Sequence, residues 1–152
     1  MNKTCKLFFS LSGACALFAL DNCIKEKVEN GTIKNGMIEG TNDFLEIEKH
    51  HNKGLPMNKL SNHTKEISIA ATMITGGLAY KTVQETMDYG DTATDIANTL
   101  ILAGAFSNTY DRVKRGYVVD YLKLGKKRAI YNISDFFIIF GVIISFFKEL
   151  RK

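Results

Sequence analysis

Twelve consecutive residues from Phe136 to Phe147, apolar but for Gly141 and Ser145 and wholly uncharged, constrain this 152-residue chain more than anything else in it. An exposed helix of a soluble protein carries polar residues every 3.6 positions, and this run has no such face. Three further apolar blocks precede it, at about 7–20, 67–80 and 92–110. A spanning helix needs about 20 predominantly apolar residues. The pattern predicts an all-α membrane protein with four transmembrane helices, at about 7–25, 65–83, 92–111 and 131–148, in a single polytopic domain over 1–152. Overall composition, 45% hydrophobic with a net charge of +4, hides this because the apolar residues are gathered rather than spread.

Lys3 and Lys6 before an apolar run, with Ala14-Cys15-Ala16 behind it, imitate a cleavable secretory leader. The three later blocks argue for keeping this segment as the first helix. Residues 28–64 form the longest polar stretch. Asn30-Gly31 and Asn35-Gly36 mark turns there, and the strand-like pieces at 32–33 and 44–47 predict a small extracytoplasmic β-like segment between helices one and two. Pro56 rules out helix or central strand around it. The segment from Arg112 to Arg128 reads as a basic loop. Gly76-Gly77 in the second helix reads as a close-packing point between helices. Cys5, Cys15 and Cys23 lack metal-ligand spacing and read as free thiols. His50-His51 would point to opposite faces of a strand, so no metal is expected there. No basic patch is interleaved with aromatic residues, which argues against nucleic acid.

Asp120 and Asp135 stand against apolar sequence on either side of the last loop. A carboxylate at bilayer depth is unfavourable by about 2.5–3.5 kcal/mol on insertion scales, so its presence asks for a function. Four spans bring the end of helix one, the start of helix two, the end of helix three and the start of helix four to one membrane face. Asp21, Lys25, Asn52, Asn108, Asp111, Arg112, Asp120, Asn132 and Asp135 then share that face. Asn108, Asp111 and Arg112 are spaced i, i+3, i+4, and Asn132 and Asp135 i, i+3. Arg112 has the geometry to hold a carboxylate with two bonds. Two neighbouring carboxylates at low dielectric hold one proton between them, a state suited to hydrolysing an amide. The same placement also fits a loop aspartate and a helix cap.

Ser107-Asn108-Thr109-Tyr110-Asp111-Arg112, Arg115-Gly116-Tyr117-Val118-Val119-Asp120-Tyr121 and Tyr131-Asn132-Ile133-Ser134-Asp135 together resemble signal peptidase II, the lipoprotein signal peptidase. Asp21-Asn22-Cys23-Ile24-Lys25 resembles that family's Asp-Gln-x-x-Lys, and Asn52-Lys53-Gly54 its Asn-x-Gly box. The likeness runs from about residue 15 to 145. It implies an intramembrane aspartyl peptidase that removes signal peptides from diacylglyceryl-modified bacterial prolipoproteins. Asp120 and Asp135 would be the catalytic pair. Asp21, Lys25, Asn52, Gly54, Asn108, Arg112 and Asn132 would shape the substrate cleft, and Asp111 would support the architecture. No metal or other cofactor is implied. The partners would be lipid-modified prolipoproteins and membrane lipids, for a monomer in the bacterial cytoplasmic membrane. Its active face would be outermost and its termini cytoplasmic.

Three departures stand out. Leu55-Pro56-Met57 replaces Ala-Ala-Phe, Ser107 stands where a glycine is usual, and Ser134 where an alanine is usual. A related peptidase for another membrane peptide and a non-catalytic lipopeptide-binding protein are the competing readings. The lysines and arginines between Arg112 and Arg128 also oppose an outer location by the positive-inside rule.

Overall fold

The structure, a computed structural model, describes residues 2–41, 44–55, 59–88, 91–125 and 129–151. Pro56 and Met57, and Lys126, Lys127 and Arg128, lie outside the described residues. Four α-helices are seen among these: α1 (Lys3–Glu29), α2 (Thr64–Asp88), α3 (Thr92–Arg115) and α4 (Ile133–Glu149). Each of the first three runs past its apolar block into polar sequence. The 27 residues of α1 span about 40 Å at 1.5 Å per residue, which leaves its last turns, with Lys25, beyond an apolar length of about 30 Å. Among the described residues, α1 alone is long and apolar enough by length and composition to cross a membrane. α4, which contains the uncharged run from Phe136 to Phe147, has 17 residues.

Local signals account for the helix ends. Asn2 caps α1, its side chain accepting from the Thr4 amide. Asp91 caps α3 and accepts from the Thr94 amide at 3.1 Å. At the other end of α3, Gly116 takes a left-handed φ of +79° and its N–H returns to the Arg112 carbonyl. Glycine alone adopts that conformation without strain, so the chain turns sharply here into a strand.

That strand corrects the all-α expectation. The molecule is mostly helical with one small antiparallel sheet, in the order β1 (Gly36–Met37), β2 (Leu45–Asn52), β3 (Val118–Leu124), β4 (Ile130–Tyr131). The sheet is therefore not confined to the region between the first two helices; β3 comes from the presumed basic loop and β4 from just after it. The first four residues of β3 are all buried, so the alternation that betrays a half-exposed strand is absent. The piece at 32–33 is not a strand. Instead Ile33 donates its amide to the Lys27 carbonyl, and Asn30-Gly31 closes the end of α1. His50 pairs with Asp120 and Asn52 with Val118 across β2 and β3, past a register shift between Ile47 and His50.

α3 is the central helix, packed on α1, α2 and α4. Polar pairs join the helices, Ser10 with Thr99 at 2.6 Å and Thr75 with Thr109 at 2.8 Å. The close-packing glycines are not Gly76 and Gly77, around which a Cβ would meet open space. They are Gly104 and Gly141, where α3 and α4 approach most closely. A Cβ on Gly104 would lie 2.7 Å from Ile138 and nearer still to the Ser134 carbonyl, and one on Gly141 would lie 2.7 Å from the Ala97 carbonyl. Gly104→Ala is expected to lower stability by about 1–3 kcal/mol through overpacking. Gly76→Ala should leave it unchanged or slightly raised, and thermal unfolding in detergent compares the two.

Candidate active site

The sequence Asn132-Ile133-Ser134-Asp135 begins α4 with a reciprocal cap. Asn132 Oδ1 accepts from the Asp135 amide at 3.0 Å, and Asp135 Oδ2 accepts from the Asn132 amide at 3.1 Å. This satisfies two orphan donors and leaves one functional atom on each side chain. Asn132 Nδ2 donates to Asp120 Oδ1 at 2.8 Å and to Asn108 Oδ1 at 3.0 Å. Asn108 Nδ2 in turn donates to Asp135 Oδ1 at 3.0 Å. One asparagine thus touches both aspartates, and Asp135 is a helix cap and a site residue at once.

Asp120 comes from β3, and its other oxygen accepts from Asn52 Nδ2 at 3.2 Å. Asn52 ends β2, where its Oδ1 accepts from the Gly54 amide in a tight turn. The Gly54 carbonyl accepts from Arg112 Nη2 at 2.8 Å, and Arg112 Nη1 reaches the Asn108 carbonyl at 3.4 Å. Arg112 therefore makes no two-bond clasp on a carboxylate; both its hydrogen bonds go to backbone carbonyls. Among the described residues the hydrogen-bond donors to the two aspartates are uncharged amides.

Asn52, Asn108, Arg112, Asp120 and Asp135 line one cleft of about 400 Å³, walled by Val118, Ile130, Ile138 and Ile139. Burial, and then the neighbouring charge of Asp135, push the Asp120 carboxyl up to about 7, against the pull of its bonds from Asn52 and Asn132. Asp120 thus holds its proton far above the ordinary aspartate range. The cleft pairs a polar floor able to hold and move a proton with apolar walls able to take an aliphatic chain.

Asp21 and Lys25 lie beneath this floor, wholly buried, rather than in the cleft lining. Lys25 Nζ stands 2.8 Å from Asp21 and 3.0 Å from Asp111, and donates to Ser107 Oγ at 3.0 Å and Asn108 Oδ1 at 3.2 Å. Asp111 also accepts from the Val119 amide and from Arg115, which pins β3 to α3. Asp21 accepts from Lys25 and from the hydroxyls of Ser107, Tyr121 and Ser134. In the sequence Ser107 and Ser134 stand out only as departures from the family pattern, and Tyr121 only as the residue after Asp120 in its motif. The only available signal was position: each is the chain neighbour of a site residue. His51 pairs with Glu29 at 2.6 Å and stacks on Tyr117, away from the cleft.

Residues 13–151 match the family model for signal peptidase (SPase) II. The lipoprotein signal peptidase of Thermodesulfovibrio yellowstonii is 34% identical over 87 residues, which cover 55% of this chain and 55% of that protein. The lipoprotein signal peptidase of Moorella thermoacetica is 28% identical over 134 residues, 86% of this chain and 85% of that one. A bacterial membrane enzyme solved by the in meso method superposes with a TM-score of 0.79 at 26% identity, covering 93% of this chain and 87% of its own.

The buried triad of charges yields a test independent of activity. Replacing Lys25 by methionine leaves Asp21 and Asp111 without their shared cation. The expected loss of stability is about 3–5 kcal/mol, as for other buried pairs broken on one side. Thermal unfolding of the purified variant measures it.

Proposed function

Because this chain belongs to the signal peptidase II family of proteases, we propose that it is an intramembrane aspartyl endopeptidase. Its substrates are bacterial prolipoproteins carrying a diacylglyceryl group, and it removes their signal peptides. Asp120 and Asp135 are the catalytic pair. The observation that carries this reading is the single Asn132 side chain bonded to Asp120 and, through the cap, to Asp135, within one cleft.

In the reaction the pair shares one proton. The ionised carboxylate takes a proton from water as the water oxygen attacks the scissile carbonyl carbon. The protonated carboxyl hydrogen-bonds the carbonyl oxygen as negative charge grows there. When the tetrahedral intermediate collapses, the leaving nitrogen takes a proton from the pair, which returns to its starting state. Asn52, Asn108 and Asn132 hold the carboxylates in place, and Arg112 and Gly54 shape the cleft wall. The isoleucines beside the dyad suit an acyl chain.

The chain crosses the cytoplasmic membrane four times as one polytopic domain, in this reading, and acts as a monomer. The dyad then lies near the outer face and both termini are cytoplasmic. Two of the positive charges near the dyad are held by the fold: Lys123 pairs with Glu46 and Glu48, and Arg115 with Glu26 and Asp111. A different membrane peptide as substrate is favoured only by Leu55, which is partly exposed beside Gly54 in the segment that departs from the family pattern. Rescue of a cell lacking its lipoprotein peptidase separates the two substrates.

Asp120→Asn or Asp135→Asn is expected to lower turnover of a diacylglyceryl-modified peptide by about 10²–10⁴-fold while the protein still inserts in membranes. Turnover near the wild-type rate in either variant would refute the dyad. The pH profile follows from the raised Asp120 value. The shared proton is present below about 7 and is lost above it, so the rate should fall as pH rises through that point. Initial rates measured from pH 5 to 9 check this.

A further inference from the structure

Three hydroxyl groups meet at one buried carboxylate, and each belongs to the immediate chain neighbour of a cleft residue. Ser107 precedes Asn108 on α3, Tyr121 follows Asp120 on β3, and Ser134 precedes Asp135 on α4. Ser107 Oγ donates to Asp21 Oδ2 at 2.6 Å, Ser134 Oγ donates to the same oxygen, and the Tyr121 hydroxyl donates to Asp21 Oδ1 at 3.1 Å. Lys25 Nζ supplies the counter-charge at 2.8 Å. Asp21, Ser107, Tyr121 and Ser134 are all buried, with at most 2% exposure.

We propose that Ser107, Tyr121 and Ser134 are positioning residues which, acting through Asp21, hold the three separate segments carrying Asn108, Asp120 and Asp135 in register. The proposal rests on the dyad reading above. Its geometry is that of a rear anchor. Neighbouring side chains on a strand point to opposite faces, so Asp120 faces the cleft while Tyr121 points behind it to Asp21. On α3 and α4 the adjacent serine likewise turns backward as its neighbour turns forward. Tyr121 adds a second tie, because its oxygen accepts from the Ile133 amide at 3.3 Å and so links β3 to the first turn of α4. Burial and the charge of Asp21 push the Tyr121 hydroxyl up, which keeps it protonated as a donor.

Bonds from a hydroxyl to a carboxylate are short and strong, and three on one centre leave little freedom to the elements that bear them. Asp21 belongs to α1, which supplies no cleft residue itself. The first helix therefore acts on the reaction only through this anchor and through Lys25. Ser107 and Ser134 are also two of the positions at which this chain departs from the pattern it resembles. Both departures add a hydroxyl, and both hydroxyls reach the same oxygen atom.

The test uses the full-length protein in detergent micelles, with Tyr121→Phe, Ser134→Ala and Ser107→Ala made singly and together. Loss of one tether is expected to lower kcat by about three- to tenfold with KM unchanged, since small displacements of a reacting group are felt strongly in the rate. With the anchor loosened, water reaches Asp120, so the fall in rate should move to lower pH. Substitutions made in pairs should have less than multiplicative effects because they share one centre. Lower thermal stability with unchanged kcat and an unchanged pH profile would overturn the proposal and leave the hydroxyls a purely structural role. Asp120 titration is also followed without substrate, by its carboxyl infrared band in the wild type and variants. If the wild type fails to cut, the dyad reading falls, and the infrared midpoint still judges the anchor: a downward shift supports it, and none refutes it.

Discussion

The ammonium of Lys25, placed between the carboxylates of Asp21 and Asp111 with no solvent on any of the three, is the interaction on which the rest of the structure depends. Each charge taken out of water alone would be strongly unfavourable, and the three are stable only as a group with further hydrogen bonds. Those further bonds do the organising. Asp111 reaches the backbone of β3, Asp21 reaches hydroxyls on α3, β3 and α4, and Lys25 reaches Asn108. A centre that binds α1, α3, α4 and β3 at one level explains how the sheet is held beside the helix ends.

Above that charged layer lies a layer of neutral amides, and the contrast has a chemical consequence. Guanidinium or ammonium groups bonded directly to Asp120 would favour its ionised form and draw the carboxyl well below neutrality. Amides from Asn52 and Asn132 orient the carboxylate with a much weaker pull, so burial and the charge of Asp135 prevail and the proton stays near pH 7. Arg112 fits the same logic. It lines the cleft, yet both its hydrogen bonds go to carbonyl oxygens, which lets it shape the wall without clasping the pair. For a pair proposed to share one proton, this division between charged support and neutral first contact is what the chemistry needs.

Much of the architecture was legible because apolar blocks are a local signal. The helices around residues 7–25, 65–83, 92–111 and 131–148 exist, and their true ends differ because capping and burial, not hydropathy, end a helix. A cap at the start of α4 was also legible, at Asp135, which the structure shows in a reciprocal cap with Asn132. β3 could not, since its leading residues are buried on both faces and sit in a stretch whose charges suggested a loop. Gly76-Gly77 misled for a related reason: a glycine pair shows only that close approach is permitted, and the approach occurs at Gly104 and Gly141 instead.

Sequence by itself determined which residues carry polar chemistry and on which side of the helices they gather, because alternation of apolar blocks forces their ends together. It also carried the asparagines and aspartates on which its resemblance to signal peptidase II rests. Tertiary structure alone decided the two tiers, with Asp21 and Lys25 below the floor and Asn52, Asn108, Asp120, Asn132 and Asp135 at it. It also decided that Ser107, Tyr121 and Ser134 meet on one oxygen-bearing group. Those contacts join residues 86 to 113 positions apart. No local preference specifies such pairings; they arise only when a buried charge must find every donor within reach.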